Sequence, residues 1–113
     1  GIQSLLLDLD RPLVEKALHD LPQQKPGLLY DNADLRLITP GSIDHDLEMI
    51  TDCDWIIEVI IEKLAPKQQL YAKIEALMHD RQVISSNTSG ISWKLLTEGR
   101  RQSFKERFCI LQL

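Results

Sequence analysis

The run "WIIEVII", Trp55 to Ile61, constrains the fold more than any other stretch. Six of its seven residues are apolar and most are β-branched. Such a run suits a strand covered on both faces, as in a parallel sheet. Four further short runs read as strands: Ser4–Leu7, Leu35–Thr39, Gln82–Ser85 and Phe108–Leu113. Helical patterns separate them. Val14, Ala17, Leu18 and Leu21 follow helical spacing, with Asp10 as a cap and Pro12 in the first turn. Ile43, Leu47 and Ile50 mark a second helix, with Asp44, Asp46 and Glu48 near its positive end. Leu70, Tyr71, Ile74, Leu77 and Met78 form the clearest stripe, with Pro66 near its start. A fourth helix is expected from Trp93 to Glu98, stopped by Gly99. Strand and helix alternate, which predicts an α/β fold with a parallel sheet and right-handed crossovers. Residues 22–34 form one long connection.

Composition excludes several classes of function. The 113 residues suffice for one domain. Hydrophobic residues at 43% and charged residues at 27% are ordinary for a soluble domain. The net charge of -4, with Lys and Arg dispersed, offers no basic face for nucleic acid. No apolar run approaches the roughly 20 residues that span a bilayer, so no membrane partner is expected. Cys53 and Cys109 form no motif and read as buried free thiols in a reducing cytoplasm. The histidines, His19, His45 and His79, lie away from strand ends, and no metal site is expected. The chain opens on Gly1-Ile2-Gln3 rather than Met, which reads as a piece cut or processed from something longer.

The stretch "QVISSNTSGIS", Gln82 to Ser92, puts short polar residues at the end of a strand. Ligands of parallel α/β sheets sit beyond the carboxyl ends of the strands. Ser86, Asn87, Thr88 and Ser89 therefore have two readings. They can bond a ligand without filling the cleft, or they can bond their own backbone, as such residues do in turns.

From Asp52 to Ser92 the chain resembles the NAD-binding domain of 3-hydroxyacyl-CoA dehydrogenases, the enzymes of the third step of fatty-acid β-oxidation. "DWIIEVIIEKLAPK" and "SNTSGIS" match the family's acidic strand, lysine-bearing helix and S-N-T-S at the right separation. "LLLDLDRP" looks like the family's second strand. The resemblance implies a three-layer Rossmann-like parallel sheet of about five strands, lacking the first strand and its glycine-rich turn. It implies NAD as cofactor and an acyl-CoA as substrate. Matched residue by residue, Asp8 falls on the acid that binds the adenosine ribose, which favours NAD over NADP. Glu62, Lys67 and Asn87 fall at the cofactor site, though the family's Asn after that Glu is Lys63 here. Ser89 falls on the serine that bonds the substrate's C3 oxygen, as a positioning donor and no nucleophile. Glu58 also matches a family acid; a buried carboxylate is costly unless partnered, so a hydrogen-bonded, structural role is expected.

Three departures limit what the resemblance implies. No G-x-G occurs in the chain, so the turn that cradles the pyrophosphate is missing. Gln112 stands where the family has its catalytic histidine, and an amide is no general base near neutral pH. The family's helical C-terminal domain, with its dimer interface, is not represented. The expectation is thus a partial NAD-binding domain over residues 1–113, truncated at both ends, with weak or absent NAD binding and no useful activity alone. Loss of the first strand would leave central edges unpaired. Closure of the gap predicts one continuous sheet of order 2-1-3-4-5; the alternative is that another chain, or an upstream segment removed from this one, fills it. A non-catalytic α/β interaction module, a gene remnant pairing with a full-length relative or forming a homo-oligomer, is the rival reading. A flavodoxin-like or receiver-like domain is a third, disfavoured by the absence of an acidic pair and a flavin-phosphate loop. Codons for Ile110–Leu113 can be written ATT CTT CAA CTN, which shifted by two bases read Phe-Phe-Asn, the family motif. A frameshift near Arg107–Cys109 is therefore predicted; coding DNA incompatible with TTC TTC AAC at this point removes the idea.

Overall fold

The computed structural model describes residues 3–8, 15–16, 19 and 37–111. The first helical stripe, its cap at Asp10, the 22–34 connection and Gln112 lie outside the described residues. The chain divides into two units, Gly1–Met49 and Ile50–Leu113.

In the first unit, β1 (Ser4–Asp8) and β2 (Ile38–Ser42) pair in parallel, with Leu6 opposite Pro40 and Leu7 opposite Gly41. β2 thus lies C-terminal to the expected Leu35–Thr39 run and takes in Pro40-Gly41, which sequence rules read as a break. Ser4 N–H donates to Leu37 O, so residues 37, 39 and 41 face β1 and Pro40 faces the outer edge. Its missing N–H costs nothing there. At Gly41 a Cβ would lie 2.6 Å from Leu7 Cδ2 and 3.1 Å from Asp46 Cβ, so that space is already taken. The expected second helix is split into α1 (Ile43–Asp46) and a 3-10 turn (Leu47–Asp52). Ser42 caps α1, its Oγ accepting from His45 N–H, while Asp46 Oδ2 accepts from Ser42 N–H.

In the second unit, β3 (Trp55–Glu58), β4 (Val83–Ser86) and β5 (Phe108–Ile110) form a parallel sheet of order β3-β4-β5. α2 (Leu64–Leu77) follows β3, and the short helices α3 (Trp93–Leu96) and α4 (Gln102–Arg107) follow β4. Side chains at paired positions share a face. Ile84 and Phe108 point to the core, with Glu58 and Ser86 in the next row on that side. α2 buries Leu70, Tyr71 and Ile74, as its stripe predicts. Tyr71, Phe104 and Phe108 form a ring cluster with centroids 5.1 to 5.8 Å apart. Each such aromatic pair is worth about 0.5–1.5 kcal/mol beyond its buried area. Gly99, at φ 80, takes the left-handed conformation that closes α3's trailing turn.

Parallel α/β architecture with about five strands is as expected; in place of the expected single sheet, the described residues form one sheet within each unit, β1-β2 and β3-β4-β5. β3 is also shorter than its apolar run. Its ladder stops at Glu58, because Ile60 N–H turns back onto the Glu58 carboxylate at 2.9 Å. The thiols are free, but neither is buried: Cys53 is half-buried and Cys109 exposed. Cys109 shares the row of Ile57 and Ser85, on the face away from α2.

Among the described residues one ion pair is fully buried. Lys67 Nζ lies 2.5 Å from Glu58 Oε2, with side chains 2% and 1% exposed. Removing one partner of such a pair leaves an uncompensated buried charge, at a cost of about 3–5 kcal/mol. Lys67→Met is expected to lower stability by that amount in urea unfolding. Adding Glu58→Gln to it restores part of the loss; a Lys67→Met protein with an unchanged midpoint excludes this assignment.

Candidate functional site

The site is built where β3 and β4 end side by side. Glu58 occupies the last position of β3 and is saturated with donors. Its Oε1 accepts from Tyr71 O–H and from Ser86 Oγ at 2.7 Å. Its Oε2 accepts from Lys67 Nζ and Ile60 N–H. Two strand ends and α2 are thereby tied to one carboxylate. Burial, together with the Glu58 carboxylate it serves, pushes the Tyr71 hydroxyl far above the usual phenol range. Glu58 thus has the partners and the structural role expected for it.

Lys67 is not the surface lysine that its place in a helix's first turn suggests. Beyond Glu58, its ammonium donates to Ile60 O at 3.2 Å and lies 3.6 Å from Glu62 Oε1. Glu62 sits on the loop after β3 and is half-exposed. Thr88 Oγ1 donates to its Oε1 at 2.7 Å and Ser89 N–H to its Oε2 at 3.0 Å. These donors, Thr88 foremost and then Ser89, with Lys67 adding its charge, hold Glu62 below the usual carboxylate range. Glu62 is therefore an ionised acceptor near neutral pH.

The polar run after β4 divides by position. Ser85 Oγ accepts from Trp55 Nε1, Ser86 Oγ accepts from Thr88 N–H, and Thr88 Oγ1 accepts from Ile91 N–H. Ser92 Oγ caps α3 by accepting from Leu95 N–H. These four hydroxyls are spent on the protein itself. Asn87 and Ser89 are exposed between them, and Asn87 N–H extends the ladder to Glu58 O at 3.0 Å. The backbone-bonding reading of the run thus holds at Ser86 and Thr88.

The structure brings Glu62, Lys67 and Ser89 together. Asp8, also exposed, ends β1 in the first unit and is described there by itself. Gln112 lies outside the described residues. Sequence reasoning missed Tyr71 as a member of this network, and singled out Thr88 without foreseeing its bond to Glu62. For Tyr71 the available signal was a phenol inside an otherwise apolar stripe, since a buried Tyr O–H needs a partner. For Thr88 there was none beyond the run itself. As a cofactor site the residues fit a nicotinamide nucleotide in part. The exposed Glu62 carboxylate beyond a parallel strand end suits ribose hydroxyls, while no glycine-rich phosphate turn occurs in residues 1–113. Among the described residues no helix is long and apolar enough to cross a membrane.

Residues 1–111 match the family described as 3-hydroxyacyl-CoA dehydrogenase, NAD binding domain. A probable 3-hydroxyacyl-CoA dehydrogenase of Deinococcus radiodurans is 39% identical over 96% of this chain and 33% of its own length. A putative fatty acid oxidation complex trifunctional enzyme of Rickettsia felis is 44% identical over 91% of this chain and 15% of its own. The chain therefore spans a third or less of these relatives. In fold it superposes on 3-hydroxybutyryl-CoA dehydrogenase of Escherichia coli with a TM-score of 0.81, covering 100% of this chain and 25% of that one at 21% identity. The match across nearly all of the sequence, and the Rossmann-type likeness behind it, make the chain a member of the 3-hydroxyacyl-CoA dehydrogenase NAD-binding-domain family.

Proposed function

We propose that residues 1–113 are a partial NAD-binding domain of an enzyme that oxidises 3-hydroxyacyl-CoA to 3-oxoacyl-CoA in fatty-acid β-oxidation. Bound NAD would accept the hydride from the substrate's C3. Asp8 holds the adenosine ribose; Glu62 and Asn87 contact the cofactor near the nicotinamide. Lys67 serves the same site through Glu62, fixing its charge and place. Ser89 orients the C3 oxygen. The observation that carries this reading is the Glu62 carboxylate, kept ionised by Thr88 and by the amide of exposed Ser89. The reading places the chain in the cytoplasm, where its free thiols stay reduced. It assigns no nucleic-acid or membrane partner.

By itself the 113-residue polypeptide lacks both a pyrophosphate turn and, with Gln112 at the family's histidine position, a general base. Missing acid–base catalysis alone costs on the order of 10²–10⁴ in rate. Oxidation of 3-hydroxybutyryl-CoA by the purified chain is expected to fall at least that far below a complete dehydrogenase. Turnover at an ordinary enzyme's rate contradicts the missing base and phosphate turn. NAD titration followed by amide NMR tests the site itself: shifts are expected at Glu62, Asn87 and Ser89, and shifts confined to other residues refute the assignment.

The carboxylate makes a separate prediction. Glu62 has a folded pKa below its unfolded value, which is about 4.3. Its contribution to stability is present above the unfolded value and is lost as pH falls through the folded one. Thr88→Val removes the largest cause, so the Glu62 carboxyl resonance is expected to titrate at higher pH than in the parent. An unmoved titration means that Thr88 does not set it.

A further inference from the structure

Two hydroxyl relays in series tie the loop after β4 to the acids around the end of β3. Ser86 Oγ donates to Glu58 Oε1 at 2.7 Å and accepts from Thr88 N–H at 3.3 Å. Thr88 Oγ1 repeats the pattern: it donates to Glu62 Oε1 at 2.7 Å and accepts from Ile91 N–H at 3.3 Å. The directions at Thr88 are forced. An amide N–H only donates and an ionised carboxylate only accepts, so the hydroxyl gives its proton to Glu62 and a lone pair to Ile91. The Thr88–Ile91 bond spans Ser89 and Gly90, and so closes the turn in which Ser89 sits.

The relays also close a ring. Lys67 Nζ lies between the two acids on the α2 side, 2.5 Å from Glu58 Oε2 and 3.6 Å from Glu62 Oε1. Ser86 and Thr88 link the same two acids on the loop side. Glu58, Lys67, Ser86 and Thr88 are all buried, and Glu62 is the member that reaches solvent. At 2% exposure Thr88 offers no surface to a ligand. What it can set is the place of its neighbours. Glu62 Oε1 takes the Thr88 hydroxyl while Oε2 takes the Ser89 N–H, so one carboxylate holds two consecutive residues of the loop.

We propose that Thr88 is a positioning residue of this site: its buried hydroxyl carries the charge and place of Glu62 into the turn that holds Ser89. The proposal rests on the reading that Ser89 orients the substrate's C3 oxygen, and Thr88 then acts on that oxygen only through Ser89. Glu62 thereby acquires a second duty. Besides serving the cofactor it orders the turn on the substrate side, so both halves of the site depend on one carboxylate. Hydrogen bonds that end on a charged group are stronger than neutral ones, which is why the Thr88 hydroxyl stays turned toward Glu62 and its lone pair toward Ile91.

Amide hydrogen exchange at neutral pH, without ligand, tests this in the chain itself. Thr88→Val keeps the shape of the side chain and removes the hydroxyl. It is expected to speed exchange at Ile91 and Ser89 by at least about tenfold, although Ser89 N–H keeps Glu62 as its acceptor. Thr88→Ser is expected to restore the parent's rates at both. Exchange at Ser85, in the β3–β4 ladder, stays at the parent's rate. Glu62→Gln supplies the readout that a space-filling threonine would not move. It weakens the acceptor at a half-exposed position and leaves the Ile91 bond to Thr88 untouched. It is expected to speed Ile91 exchange when Thr88 is present and to have no effect there when residue 88 is already valine. An Ile91 amide indifferent to Glu62→Gln in the parent overturns the proposal, as does an equal effect in both backgrounds. A Ser89 amide unmoved by Thr88→Val has the same force. Acceleration that reaches Ser85 means that Thr88 serves the fold at large, and overturns it too. The reading of Ser89 and the cofactor site fails on other evidence, the absence of ligand-induced shifts at Glu62, Asn87 and Ser89, so the two failures are distinguishable.

Discussion

The structure of the second unit depends on one buried carboxylate. Glu58 gathers Lys67, Tyr71, Ser86 and the Ile60 amide, so α2, the end of β3 and the end of β4 cannot move independently. Isolated in a low-dielectric interior, either charge would be very expensive. Together they roughly offset their desolvation, so the pair adds little net stability compared with apolar residues of similar volume. What it adds is geometry. An apolar pair would bury as well, but it would not stop β3 at residue 58 or aim an ammonium at Glu62.

The site grows outward from that anchor. Lys67 is the joint between a buried acid and a half-exposed one, and the Thr88 hydroxyl with the Ser89 amide completes the second. Going outward, each acid is less buried and has fewer partners. Glu58 has no acceptor capacity left for a ligand, whereas Glu62 keeps a face toward solvent. The same logic sorts the hydroxyls: Ser86 and Thr88 are committed to the carboxylates and the turn, leaving Asn87 and Ser89 outward. Loop residues can present polar groups in this way only when the loop itself is fixed, and the fixing comes from the acids they flank.

Much of this was legible in the residues and some was not. "WIIEVII" announced a strand of a parallel sheet, and the stripe of α2 was readable from its period. The match from Asp52 to Ser92 singled out the residues that the structure brings together at the strand ends, Glu62, Lys67 and Ser89. Hydrophobic pattern could not show where β3 stops, because a side chain bonding its own backbone decides that. It could not place β2 on Pro40-Gly41 either, since the tolerance depends on which edge the proline faces. α4 is six residues long with one buried apolar side chain, Phe104, too short to register as a period. The depth of Lys67 was hidden for another reason. A lysine reads as solvated unless its partner acid is known to be internal, and Glu58 gave that clue only by its position amid apolar neighbours.

Tyr71 carries a consequence of its own. Its phenol is shut in with a carboxylate and keeps its proton far into alkaline solution. The unfolded chain has no such restraint and releases that proton above pH about 10. Alkali therefore acts on this domain by drawing it open: the folded form retains a proton that the disordered form gives up. Of the chain's two tyrosines, this one should show the ultraviolet signature of phenolate only once the interior has come apart, which makes it a built-in optical reporter of the core.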